Sequence, residues 1–133
     1  MKIIGLDNKE YSWNYKESSV GDSNRSKLHL KAREIIKELF PYDVLLEEVS
    51  LPGCGKTTLY ADFYLPLRKL MIEIDGRQHS QYVKFYHKEK INFYKGIGRD
   101  KKKRQWCENN GIKLLSLNFD QTEQEWRDII NGR

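Results

Sequence analysis

Apolar positions along this chain follow two different periods. Leu28, Ala32, Ile35, Ile36 and Leu39 recur at helical spacing behind Ser26, a good N-cap, until Pro41 ends the run. Val44–Leu51, Thr57–Leu65 and Leu70–Asp75 read instead as strands, with Pro52–Lys56 and Pro66–Lys69 as turns between them. Helical character returns over Lys88–Lys95 and again over Arg99–Asn109, where Asn110-Gly111 supplies a C-terminal stop. Ile112–Asn118 is a last strand and Thr122–Ile130 a terminal helix. This order predicts an α/β (α+β) fold: a mixed central sheet of about four strands flanked by helices. Residues 1–25 lack a clear period, and Val20–Asn24 reads as flexible. We expect an N-terminal arm there, in which Lys9–Tyr15 is an edge strand or simply part of the arm, and one domain over 26–133.

The middle of the chain carries the chemistry. Thr57–Leu65 and Leu70–Asp75, folded as an antiparallel hairpin, set Leu65 against Leu70 and therefore Asp62 against Glu73. Alternation places Ala61, Phe63, Leu65, Leu70, Ile72 and Ile74 on one apolar face and Asp62, Glu73 and Asp75 on the other. Directly opposed residues have Cβ atoms about 5 Å apart, where like charges destabilise a sheet. Three carboxylates gathered in this way call for a cation, and oxygen ligands suit Mg²⁺ or Mn²⁺. A merely solvated strand face would favour Lys, Thr or mixed signs.

A length of 133 residues suits a single domain with a real core. No apolar run approaches a membrane span, and the start of the chain lacks the long apolar segment of a secretory signal. Cys54 and Cys107 are far apart and form no CxxC pair, so neither a disulfide framework nor a thiolate zinc site is expected. A reducing cytoplasm is the expected compartment. The net charge is +5, and its distribution matters more than its size. Lys84, Lys88, Lys90, Lys95, Arg99, Lys101, Lys102, Lys103 and Arg104 lie in one stretch against Glu89 and Asp100, with Phe85, Tyr86, Phe93, Tyr94 and Trp106 among them or adjacent. Such a stretch is what a polyanion needs, because cations displace the counterions condensed on phosphates. An acidic metal patch beside it points to a nucleic-acid substrate.

An acidic residue on one strand followed by an acidic pair on the next resembles the PD-(D/E)xK nuclease superfamily. Asp62-Phe63, the Ile72–His79 stretch (IEIDGRQH), Arg99-Asp100 with Lys103, Trp106 and Cys107, and Asn110–Leu115 are similar to very-short-patch-repair endonucleases. They are most similar to the EDxHD homing endonucleases of phages and introns, and the resemblance runs from about Ser26 to Phe119. It implies a restriction-endonuclease-like sheet and Mg²⁺- or Mn²⁺-dependent hydrolysis of DNA, in the cytoplasm of a bacterium or a phage-infected cell. By motif position Asp62 is the central metal ligand, Glu73 the second acidic position, Asp100 the late aspartate and Glu34 the candidate first-helix glutamate. The superfamily lysine falls at Asp75, which then extends the metal shell or orients a histidine. His79, or failing it His87, takes the role of proton relay, for which a neutral imidazole is suited. Lys84, Lys88, Arg99, Lys101, Lys102, Lys103 and Arg104 contact phosphates, while Tyr82, Phe85 or Tyr86 wedge against bases. Strong sequence specificity in so short a chain would need a homodimer, the N-terminal arm or a partner. The alternatives are a junction resolvase, a mismatch-nicking enzyme, a non-catalytic DNA-binding module of the same fold, or a metalloenzyme acting on small phosphate esters.

Ser50–Thr57 reads SLPGCGKT, a phosphate-binding loop except for its leading glycine. Such a loop must lead into a helix whose N-terminus holds the phosphates. Here Thr57–Phe63 is β-branched and aromatic with a period of two, so the segment is a hairpin turn and no nucleoside triphosphate is expected. ATP and GTP should show no saturable binding by equilibrium dialysis, and Lys56→Ala should change nothing in that assay. Binding of ATP that this substitution abolishes would restore the phosphate-loop reading.

Overall fold

A computed structural model describes residues 1–18, 25–76 and 87–132, with side chains of the last segment from Gly98 onward. Ser26 caps the first helix, α1 (Lys27–Leu39), its Oγ accepting from the His29 N–H at 3.0 Å. Strands β3 (Leu46–Leu51), β4 (Leu59–Leu65) and β5 (Leu70–Asp75) pair antiparallel in sequence order. A 3₁₀ turn over Pro66–Arg68, closed by Lys69 at φ 48°, joins β4 to β5. Helix α2 (His87–Asn109) is the crossover that returns the chain to lay β6 (Lys113–Asn118) parallel to β5. Helix α3 (Glu123–Asn131) starts in a capping box between Thr122 and Glu125. The result is the expected α+β architecture, a mixed four-stranded sheet of order β3-β4-β5-β6 flanked by helices.

Each face of the sheet buries its own apolar cluster. Phe63, Leu65, Leu70, Ile72 and Leu117 pack against Ala32, Ile35 and Ile36 of α1 and Trp126 and Ile130 of α3. Tyr64 and Met71 pack on the opposite side against Trp106 and Cys107 of α2. The indole N–H groups find carbonyls: Trp13 donates to Ser50, Trp106 to Pro52 and Trp126 to Asn118. Both cysteines are free and buried, and burial lifts their thiols to about 11 for Cys54 and about 12 for Cys107.

Three features depart from the sequence expectation. The N-terminal segment, expected as an arm, contains a hairpin of β1 (Lys2–Ile4) and β2 (Glu10–Ser12); Ile3 of β1 and Trp13, just beyond β2, enter the α2-side cluster. Asn110 ties it down, accepting from the Ile4 N–H at 2.6 Å and donating to the Ile4 carbonyl at 2.9 Å. Helix α2 is continuous where two helical pieces were expected. Its glycines cost about 1 kcal/mol each in helix propensity, yet a parallel crossover requires a long rigid connection. Finally, Ala61 packs with Val49, Leu51, Leu59 and Trp13 in the α2-side cluster, whereas Phe63 belongs to the other. Alternation therefore does not carry through Asp62.

Among the described residues no helix is long and apolar enough to cross a membrane. Phe63 is fully buried and stacks on His29 at 4.4 Å, so Phe63→Ala should lose about 3–5 kcal/mol of stability in urea denaturation. Leu67, 77% exposed on the turn, should tolerate alanine within about 0.5 kcal/mol.

Candidate active site

The β4–β5 backbone ladder runs from Leu65–Leu70 to Phe63–Ile72 and stops there. At the next position the two carboxylates do the work of carbonyls. Glu73 Oε2 accepts from the Asp62 N–H at 2.6 Å, and Asp62 Oδ2 accepts from the Ile74 N–H at 2.9 Å. The acids are thus opposed as the register predicts, and they satisfy backbone donors that an interrupted ladder would leave orphaned. Glu73 is fixed from its other side by the parallel pairing of β5 with β6, where it faces Ser116.

Lys103 completes the group. Its ammonium, projecting from α2, meets Glu73 Oε1 at 2.5 Å, with side chains only 14% and 12% exposed. One ammonium against two carboxylates leaves a negative excess in a poorly solvated place. Burial, reinforced by the Asp62 charge, pushes the Glu73 carboxyl up to about 7, against the pull of Lys103. Burial also raises the Asp62 carboxyl, although the Ile74 N–H, Lys103 and His29 all favour its ionised form. For Lys103 burial works downward, but Glu73, Asp62 and Asp100 outweigh it and hold the ammonium above its ordinary value.

These groups open onto a cleft of about 900 Å³ between the sheet and α2, also lined by Asp75, Gly76, Arg99, Asp100, Lys101 and Arg104. Asp75 and Asp100 therefore share the cleft with Asp62 and Glu73. The basic run is divided by its helix. Arg99, Lys101 and Arg104 are exposed along the cleft; Lys102 points to a separate hollow beside Asp7, Tyr11 and Cys54; Lys103 turns inward. Glu34 is exposed on α1 and does not line the cleft. His79, Lys84 and the aromatics Tyr82, Phe85 and Tyr86 lie outside the described residues, as do the side chains of His87 and Lys88.

Two neighbours of the site were missed in the sequence. Extending the β3–β4 register sets Glu48 opposite Asp62. Glu48 has φ 49°, an uncommon conformation for a non-glycine residue, and its Oε2 accepts from the Ser18 hydroxyl at 2.7 Å. It shares with Asp62 a second groove, beside Lys16, Thr58 and Tyr60. The register that paired Asp62 with Glu73 would have found it had it been carried one strand further. The other is His29, whose Nε2 lies 2.9 Å from Glu47 Oε1, an oxygen that Arg25 and Arg33 also contact at 3.0 and 2.8 Å. Burial works to raise the Glu47 carboxyl, but Arg33, His29 and Arg25 together hold it below its ordinary value.

Among the described residues no three carboxylate, imidazole or thiolate groups converge as a ready-made metal cluster. The donor set nonetheless fits Mg²⁺ or Mn²⁺. Such ions are commonly held by one or two carboxylates, with waters and substrate phosphates filling the remaining positions. Asp62 and Glu73 are two such carboxylates, carrying more negative charge than their surroundings offset.

The chain is 32% identical over 77 residues to the uncharacterized protein 307L of Invertebrate iridescent virus 6, a match covering 58% of this chain and 39% of that protein. It is 38% identical over 69 residues to the uncharacterized protein 094L of Frog virus 3 (isolate Goorha), covering 51% of this chain and 44% of that one. The matches thus span less than half the length of these curated relatives. No protein-family model matches the chain, and no solved structure matches it at a significant level.

The raised Glu73 carboxyl sets a pH dependence. A group that binds its proton more tightly when folded stabilises the fold at low pH, and that contribution is lost as pH rises through the folded value of about 7. In EDTA, unfolding free energy should fall on the order of 1–3 kcal/mol between about pH 5 and pH 8, and Glu73→Gln should flatten that slope. Glu47, shifted the opposite way, acts only in the more acidic range. Stability that rises across this window in denaturant titrations would contradict the assignment.

Proposed function

We propose that this chain is a metal-dependent endonuclease that hydrolyses DNA phosphodiester bonds, of the very-short-patch-repair and EDxHD homing endonuclease type. The observation that carries the reading is the Asp62–Glu73 carboxylate pair, largely buried at the end of a strand ladder and opening onto a cleft walled by Arg99, Lys101 and Arg104. Proteins rarely bury adjacent like charges without a use for them, and a divalent cation is the chemistry this pair suits. Asp62 and Glu73 would hold Mg²⁺ or Mn²⁺, with Asp75 and Asp100 at the margins of the same cleft. Bound there, the ion would supply charge neutralisation at the phosphate and a water of lowered pKa. Arg99, Lys101 and Arg104 bind and orient the DNA backbone, a contact that positions a duplex without reading its sequence. His79 assists proton transfer in this proposal, and a homodimer is its proposed assembly.

Supercoiled plasmid and duplex, mismatched, branched and single-stranded oligonucleotides, incubated with Mg²⁺ or Mn²⁺, test the proposal. At least one substrate should be cut. Asp62→Asn should lower the rate by about 100-fold or more while leaving DNA affinity equal or higher, because it removes an anion from the cleft. Replacing Lys101 and Arg104 together by Ala should weaken binding and reduce the salt slope by about 2. A fully active Asp62→Asn protein would remove the carboxylate pair from catalysis. Binding without cleavage of any substrate would leave a DNA-binding module.

A further inference from the structure

Among the basic residues whose side chains are described, Lys103 differs in environment from Arg99, Lys101, Lys102 and Arg104. Lys101, Lys102 and Arg104 are exposed. Lys103 is held between α2 and the sheet, its ammonium on the Oε1 oxygen of Glu73 while the other oxygen of that carboxylate accepts from the Asp62 N–H. The position follows from the helix itself. Lys103 precedes Trp106 by three residues and Cys107 by four, so all three lie on one face, and Trp106 and Cys107 are 0% and 1% exposed in the core.

We infer that Lys103 is the resident counter-ion of the carboxylate pair, and that a divalent cation binds by displacing its ammonium from Glu73 into the cleft. The inference rests on the proposed metal site. With both acids ionised, two carboxylates and one ammonium sum to a single negative charge, which the ammonium on Glu73 keeps tolerable without metal. A divalent ion on the same carboxylates would neutralise them alone. The ammonium would then be surplus, and a fixed positive charge a few ångströms from a divalent ion is strongly unfavourable in a poorly solvated site. The lysine stem is flexible and rooted at the edge of the cleft that Lys103 already lines beside Arg99 and Arg104. Release therefore moves a positive charge from the acids to the wall of the cleft. Metal loading and polyanion binding become coupled through one side chain: the ion gains a vacated carboxylate oxygen, and the cleft gains a cation. By linkage the coupling is reciprocal, so an anion that attracts Lys103 outward favours the metal.

The test uses Ca²⁺ as a probe, with affinity and chemical reactivity as readouts in place of cleavage. In the wild-type protein Lys103 should resist reductive methylation in EDTA, and saturating Ca²⁺ should raise its modification several-fold by peptide mass spectrometry, with Lys101 unchanged as the internal reference. Lys103→Gln should bind Ca²⁺ about tenfold more tightly by calorimetry, and Asp62→Asn should abolish that binding in either background. The methylation arm needs no variant, so it decides the matter even if Lys103→Gln folds poorly. Asp62-dependent Ca²⁺ binding with Lys103 equally protected at saturation would overturn the displacement while leaving the metal site standing. Absence of Asp62-dependent Ca²⁺ binding in both the wild type and Lys103→Gln would remove the metal site itself, and the displacement with it.

Discussion

Two carboxylates closing the end of a strand ladder are the constraint on which this structure turns. Asp62 and Glu73 face each other where β4 and β5 cease to exchange backbone hydrogen bonds, and each accepts a main-chain N–H from the opposite strand. Opposed acids in a sheet repel, and burial makes the repulsion worse. What keeps them is a set of specific donors: two backbone N–H groups and one ammonium. Carbonyl partners in their place would continue the ladder. The pair is thus both a structural splice and a concentration of negative charge, and the second property is what a metal-dependent reaction needs.

The surrounding elements follow from keeping that splice in place. A parallel β6 on the outer edge of β5 fixes Glu73 in register and demands a long crossover, which α2 provides. The crossover brings one lysine of a basic run inward and leaves its neighbours outside. On the other strand, Glu48 adopts a left-handed conformation directly opposite Asp62, and apolar residues change faces there: Val49 and Ala61 join the α2-side cluster, while Phe63 and Leu65 belong to the α1–α3 side. A break in alternation and an interrupted ladder coincide at one residue, Asp62. Local departures from regular structure collect at functional sites, since only surrounding structure can sustain them.

Much of this was legible in the sequence, because period and turn chemistry are local. Ser26 and Thr122 announce their helices, Pro66–Lys69 fixes the hairpin, and the register then pairs Asp62 with Glu73 without further information. What escaped depends on contacts distant in the chain. The N-terminal hairpin has no period of its own; it is held by Asn110 and by burial of Trp13 against Tyr64 and Trp106. The flip of Ala61 cannot be read from alternation, since it is a failure of alternation. Lys103 looked like its neighbours in a run of charge, although Trp106 and Cys107 three and four residues on already mark the inward face. His29, a single histidine on an apolar helix face, gave no sign of its partner Glu47, which lies on another element. The assignment of His79 rests on motif position, because it lies outside the described residues.

Joint binding of a divalent ion by Asp62 and Glu73 is what the proposed function requires. Anomalous diffraction from crystals grown with Mn²⁺ measures this directly, since the ion marks its own position. The predicted result is a peak within coordination distance of both carboxylates, with the Lys103 ammonium withdrawn from Glu73. Crystals in millimolar Mn²⁺ that show no peak there, with Lys103 still on Glu73, would contradict it.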